Sequence, residues 1–277
     1  MWPPVFRQIV VKSAVRCGSL GGLGAISLSN PFFLDQDLRL ANRAFLINRD
    51  FDNYDKLEGG IGSELTWKWG DNYSSKVGLT VSQTSINTPI PKELAGPRNY
   101  MVSRLGLQQL FDRRNNPALP SDGWFARLST SLGLSDGDNT IGFFEVESQF
   151  SYYQTLSENS SYALGLRGGF ISPSGEAQSL PIDLRKFLGG ANTIRSFPEL
   201  KMGSSFNDNT LGGTEWWLAN AEYMHNLAGP FKALIFVDAA GLDSEVELAV
   251  GLGVRINLPV GPIRLEYGRS LSQNSGE

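Results

Sequence analysis

Few side chains in this sequence are equipped for covalent chemistry. Its 277 residues hold one histidine, His225, and one cysteine, Cys17. A single cysteine cannot close an internal disulfide, and one histidine with one cysteine cannot supply the ligand set of a zinc site. A Ser-His-Asp hydrolase would have to run through His225, and a lone histidine is more often structural. The glycine-rich stretch 18–24 lacks the strand-loop-helix setting of a nucleotide loop. A net charge of −4 and the lack of a basic stripe speak against nucleic acid. The sequence therefore points to no catalytic residue, no cofactor and no metal. Arg195 stands near the end of the run Lys186-Phe187-Leu188-Gly189-Gly190-Ala191-Asn192-Thr193-Ile194-Arg195-Ser196-Phe197, and Glu222 and Asp238 follow downstream. A guanidinium can fork onto carboxylates through parallel N–H···O contacts.

The elements that would position these groups are strands. Hydrophobic residues make up 41%, yet no run approaches the roughly 18 consecutive apolar residues of a transmembrane helix. The dominant signal is period 2. From Val246 to Leu258 the even positions are all aliphatic, whereas Glu247, Arg255 and Asn257 stand among small residues on the odd face. The pattern recurs through 57–69, 141–153 and 161–170. Strands are expected at 24–29, 37–48, 57–69, 75–86, 99–110, 123–134, 141–154, 160–171, 214–226, 230–239, 246–258 and 261–269. Many are long enough to cross a bilayer when tilted. Aromatics such as Trp67, Trp69, Trp124, Trp216, Trp217 and Tyr267 sit near strand ends, where a membrane girdle would put them. Tight connections (Asn30–Gln36, Gly70–Tyr73, Leu227–Pro230, Pro259–Gly261) alternate with long ones, above all 172–213. The fold class read from this is all-β, an antiparallel transmembrane β-barrel occupying 24–277, with 1–23 irregular or fragmentary. A soluble β-sandwich would alternate too, with its polar face outward and shorter strands.

Several landmarks resemble the bacterial surface antigen family of outer-membrane β-barrels. The paired glycines before Ile194-Arg195-Ser196-Phe197 resemble that family's loop signature, with Ser196 where a glycine is usual. Asn115 to Pro117 with Pro120-Ser121-Asp122-Gly123 resembles its turn before a strand. Phe236-Val237-Asp238-Ala239-Ala240-Gly241 resembles its strand end after the loop. Gly261-Pro262-Ile263-Arg264-Leu265-Glu266-Tyr267-Gly268 resembles its penultimate strand, and Ser29-Asn30-Pro31-Phe32-Phe33 an early turn. The family barrel has sixteen strands, so the resemblance implies its C-terminal part, about twelve strands, without the last strand or the periplasmic repeats.

The resemblance implies that loop 172–213 folds into the lumen, with Gly189, Gly190, Ile194, Arg195, Ser196 and Phe197 as its locking tip. With Asp238 inward, strand parity puts Lys232, Leu234 and Phe236 inside with it, and Asn220 and Glu222 inside on the preceding strand. Glu222 and Asp238 are then the expected acidic partners of Arg195. The implied activity is insertion of β-barrel proteins into the bacterial outer membrane by strand addition at a lateral seam. The implied partners are the lipid bilayer, unfolded outer-membrane or secreted proteins, accessory lipoproteins and periplasmic chaperones. A two-partner-type secretion transporter, a passive porin and a hydrolase using His225 are the alternatives. Upstream repeats, solute-selective conductance and a His225 variant would respectively tell them apart.

Overall fold

A computed structural model of the chain describes residues 10–18, 21–176, 179–258 and 261–272. Its strands are β1 (Val10–Gly18), β2 (Gly21–Asn30), β3 (Leu38–Asp50), β4 (Asp55–Lys68), β5 (Tyr73–Asn87), β6 (Asn99–Asp112), β7 (Gly123–Asp136), β8 (Thr140–Ser157) and β9 (Ser160–Pro173). After a long connection come β10 (Ser205–Phe206), β11 (Asn209–Thr210), β12 (Glu215–Asn226), β13 (Phe231–Leu242), β14 (Glu245–Leu258) and β15 (Gly261–Ser270). One short helix, α1 (Lys92–Ala95), lies between β5 and β6. Thirteen strands form one sheet in the hydrogen-bonded order β1 to β9, then β12 to β15, and β10 and β11 make a separate small hairpin.

Alternation is the cause. On β14, Val246, Leu248, Leu252 and Val254 are exposed, while Glu247, Ala249 and Gly253 between them are buried. On β15, Ile263, Leu265 and Tyr267 are exposed. On these strands one face is thus an apolar skin, and the charged Glu247 and Glu266 lie on the other.

Each strand expected from the sequence is present close to its expected bounds. The N-terminus differs: 1–23 is not irregular throughout, because β1 pairs antiparallel with β2 from Val10↔Ser29 to Gly18↔Gly21. Its alternation is poor, since Val10, Val11 and Val15 are all exposed, and backbone pairing to β2 carries it instead. Residues 1–9, the expected tight turn at 259 and 260, the Asn257 side chain and the last residues lie outside the described residues. Trp216 also departs from expectation. It packs against a buried cluster beneath the long connection, with the Lys186 ammonium 4.0 Å from its ring centroid, whereas Trp217 is exposed.

The chain divides into two compact units: Met1–Leu110 with Leu128–Val146 and Ile171–Arg185, and Phe111–Arg127 with Glu147–Phe170 and Lys186–Glu277. In the first, β1 to β5 pair in sequence. Ile90 just before α1 and Ala95 at its end, with Tyr100, Leu180 and Ile182, are almost fully buried. Gly96 (φ +75°) closes α1 where a Cβ would lie 2.9 Å from the Leu180 carbonyl oxygen. In the second unit, β12 pairs with β9 across the long connection, and β12 to β15 pair in sequence.

Candidate functional site

The register of the second unit lays polar-face residues out in rows across β12, β13, β14 and β15. One row runs Asn220, Asp238, Ala249, Ser270; the next Glu222, Phe236, Gly251, Gly268; then Met224, Leu234, Gly253, Glu266; then Asn226, Lys232, Arg255, Arg264. Successive rows on one face lie ~6.6 Å apart and neighbouring strands ~4.8 Å. Asp238, Glu222 and Glu266 therefore fall on different strands and rows, around a centre occupied by Phe236 and two glycines.

The tip of segment 174–214 docks on that centre. The Arg195 guanidinium meets Asp238 twice, Nε to Oδ2 at 2.7 Å and Nη2 to Oδ1 at 2.6 Å. Its Nη1 donates to Glu222 Oε1 at 2.6 Å and to Glu266 Oε2 at 3.0 Å. The Arg195 amide adds a 3.2 Å bond to Asp238 Oδ2. The guanidinium carbon lies 3.4 Å from the centroid of the Phe236 ring. Phe236 in turn covers Gly251, where a Cβ would come within 2.1 Å of the ring. At Gly268 a Cβ would sit 2.9 Å from the Arg195 carbonyl, so the two glycines of one row form a trough for ring and loop backbone. Side-chain exposure is 7% for Arg195, 0% for Asp238, 7% for Glu266 and 15% for Glu222.

A second guanidinium completes the balance. Arg255 donates from Nη2 to Glu222 Oε1 and Glu266 Oε1, both at 2.8 Å, and from Nε to Glu266 at 2.9 Å. Asn220 donates to Asp238 Oδ1 at 2.9 Å. Two cations thus face three carboxylates, each carboxylate held by at least one charge-assisted hydrogen bond.

The expected tip residues have distinct places. Gly189 (φ +116°) and Gly190 (φ +93°) occupy backbone conformations that side chains rarely adopt. The Gly189 amide donates to Thr193 Oγ1 at 2.8 Å and the Gly190 amide to the Phe197 carbonyl at 2.9 Å, closing the tip on itself. Ile194 is fully buried with Leu188 and Met202 against Leu218, Ala240, Leu242 and Ala249, and Phe197 packs alongside. Burying each such aliphatic side chain stabilises by ~1.5–3 kcal/mol. Ser196 has an ordinary negative φ, so this tip does not demand glycine there. Its hydroxyl is buried without a hydrogen-bond partner among the described residues.

Four contributors were not named from sequence as partners: Glu266, Arg255, Asn220 and the stacking Phe236. Parity already set them on the polar face, but parity gives the face and not the row. The first unit holds an anchor that carried no sequence signal. Asp183, 1% exposed, pairs with Lys56 Nζ at 2.8 Å and accepts a hydrogen bond from the Tyr100 hydroxyl. Lys56 also pairs with Glu58 at 2.8 Å. Leu180 and Ile182 flank Asp183 and are buried, and Arg185 turns back onto the Leu180 carbonyl.

Comparison with known proteins bears on the chain as a whole. The sequence matches the Omp85 superfamily domain over residues 11–277. It is 23% identical over 268 residues to the outer membrane protein assembly factor BamA of Nitratidesulfovibrio vulgaris, covering 89% of this chain and 33% of that protein. It is 25% identical over 181 residues to the sorting and assembly machinery component 50 homolog A of Xenopus laevis, covering 62% of this chain and 38% of that protein. The fold is similar to BamA from Haemophilus ducreyi lacking POTRA domains 1–3, with TM-score 0.80 at 16% identity over 96% of this chain and 61% of that one. CdiB from Acinetobacter baumannii is similar at TM-score 0.53 and 15% identity, over 95% of this chain and 56% of that one. The chain spans about a third of the length of the curated relatives it matches.

Proposed function

The chain belongs to the Omp85 superfamily of outer-membrane β-barrels, and on that premise we propose that it works in inserting β-barrel proteins into the outer membrane. The thirteen-stranded sheet is the membrane domain, and segment 174–214 is its lumenal loop, held by Arg195 on Asp238, Glu222 and Glu266. The observation that carries the reading is this clasp within a sheet whose other face is apolar. Its groups are ion pairs suited to holding a loop. Substrates are unfolded outer-membrane proteins, which add their strands through main-chain hydrogen bonds. Periplasmic chaperones deliver them, and accessory lipoproteins assist. The similarity to an assembly factor and to sorting and assembly machinery components supports insertion over export.

The test is reconstitution. Full-chain protein in liposomes is mixed with a urea-unfolded eight-stranded barrel substrate, and the folded, heat-modifiable band is followed over time. Acceleration over empty liposomes, reduced by Arg195→Ala, is the expected result. Substrate recovered protease-protected inside the vesicles and not in the bilayer would establish secretion instead. No acceleration by the unaltered protein would refute the proposal.

A further inference from the structure

Beside the clasp, within the second unit, lies a cavity of about 710 Å3. Five cations line it, Arg167, Arg195, Lys232, Arg255 and Arg264, against one carboxylate, Glu222. Arg195 and Arg255 are committed to Glu222, Asp238 and Glu266. Even with Asp238 and Glu266 counted, positive charge exceeds negative by two. Among the described residues, no carboxylate lies within ion-pair distance of Arg167, Lys232 or Arg264.

Two of these cations are brought to one point. Arg167 Nη2 donates to the Asn192 carbonyl at 2.6 Å, and Arg264 Nη2 donates to Asn192 Oδ1 at 2.9 Å. Arg167 comes from β9, Arg264 from β15 and Asn192 from the docked loop tip, so the clasp itself sets their spacing. A guanidinium carries five N–H donors in a fixed plane, and one is spent here on each. The rest can meet the paired oxygens of an anion, with little loss of freedom because both side chains are already oriented. Leu119, Pro120, Tyr153 and Met224 also line the cavity. Apolar surface in the same cavity as guanidinium forks suits a polypeptide carrying carboxylates better than a small hydrated anion. A lipid headgroup would have to leave the apolar face, which is the other side of the sheet.

We propose that this cavity receives an acidic segment of a polypeptide, with Arg167 and Arg264 holding its carboxylates and Leu119 and Tyr153 its apolar flank. The proposal rests on the reading of the chain as a protein-handling barrel and names a substrate feature for it. Binding then weakens as salt rises, because part of the attraction is between exposed charges.

The experiment uses the full chain in detergent and a rhodamine-labelled peptide of alternating Gly and Glu, with alternating Gly and Gln as its neutral counterpart. Fluorescence anisotropy should show the Glu peptide bound and the Gln peptide bound at least about tenfold more weakly, the loss of one charge-assisted hydrogen bond or more. Arg167→Gln with Arg264→Gln should lose a similar factor, while Arg167→Lys with Arg264→Lys, which keeps charge but not the fork, should lie between. If either variant fails to fold, the two peptides on the unaltered chain decide alone. Equal binding of the two peptides, or unchanged binding by a folded glutamine variant, overturns the proposal. So does displacement of the Glu peptide by inorganic phosphate or phosphatidylglycerol nanodiscs where acetate at equal charge does nothing, which would assign the site to phosphate. Insertion activity is measured separately. Peptide binding without insertion keeps the cavity and sinks the insertion reading; insertion with equal peptide binding does the reverse.

Discussion

Arg195→Ala tests the clasp most directly. The substitution removes four side-chain contacts to three carboxylates and the stack on Phe236. Arg255 remains to hold Glu222 and Glu266, so the uncompensated charge falls on Asp238, fully buried and left with the Asn220 side chain and the backbone amide of residue 195. Removing one partner of a buried pair typically costs ~3–5 kcal/mol. Arg195 and Asp238 are too buried for solvent to screen much of this, and relief at Glu222 and Glu266 through Arg255 favours the lower end. A cost of ~3 kcal/mol raises the undocked population of the tip by ~10²-fold. Hydrogen exchange read by mass spectrometry reports that ratio. The amides of Gly190, Thr193 and Phe197 are bonded within the tip, so a peptide spanning 187–198 should exchange ~10² faster. Peptides from β12 to β14 should stay protected. An increase below about tenfold, under ~1.4 kcal/mol, would mean that the apolar cluster around Ile194 holds the loop without the arginine. Equal loss of protection across β13 would show a failure of the sheet itself.

Four further outcomes are expected. Leu252→Arg, mid-strand on the apolar face, should destabilise the folded protein in lipid by ~2–4 kcal/mol, measured by urea titration in vesicles; a negligible change would argue that this face does not meet lipid. Ser196→Ala removes a buried hydroxyl without a partner and should stabilise by ~1 kcal/mol in a thermal melt, whereas a loss would reveal a hydrogen bond made in solution. Asp183→Asn leaves Lys56 facing Glu58 alone and should speed exchange of the Arg185 amide, which donates to Ile182, without touching residues 189–197; equal loosening of both would show that the two anchors are one device. Asp122, in the loop before β7, accepts bonds from the Thr155 amide and hydroxyl, and these hold its carboxyl below the usual range. Its contribution is present above the unfolded pKa and lost as pH falls through the lowered folded value, so the Thr155 amide resonance should shift only below the ordinary carboxylate range.

The sheet was largely legible in the sequence because period 2 is a local property. Val246 to Leu258 states its two faces without reference to any other strand. β1 was not legible, since Val10 and Val11 are both exposed and the strand is held by pairing to β2. The clasp was legible in part. Arg195, Glu222 and Asp238 follow from loop and parity, whereas Glu266, 71 residues from Arg195, enters only through the register that sets Gly253 opposite it. Asp183 was silent for the same reason: its partner Tyr100 lies 83 residues away, and nothing near Tyr100 or Lys56 in sequence singles them out.

The row register has a consequence for the order in which the molecule matures. A one-residue slip of β13 would turn Asp238 to the lipid and bring Val237 or Ala239 inward. A two-residue slip would keep the face but carry the carboxylate ~6.6 Å along the strand, beyond the ~4 Å reach of an ion pair. Arg195 finds all three acids only when β12, β13, β14 and β15 are aligned together. Docking of the tip is then a closing step that gauges four alignments at once. A chain zipped up in the wrong alignment keeps its 187–198 tip loose, in the form that quality-control proteases cut.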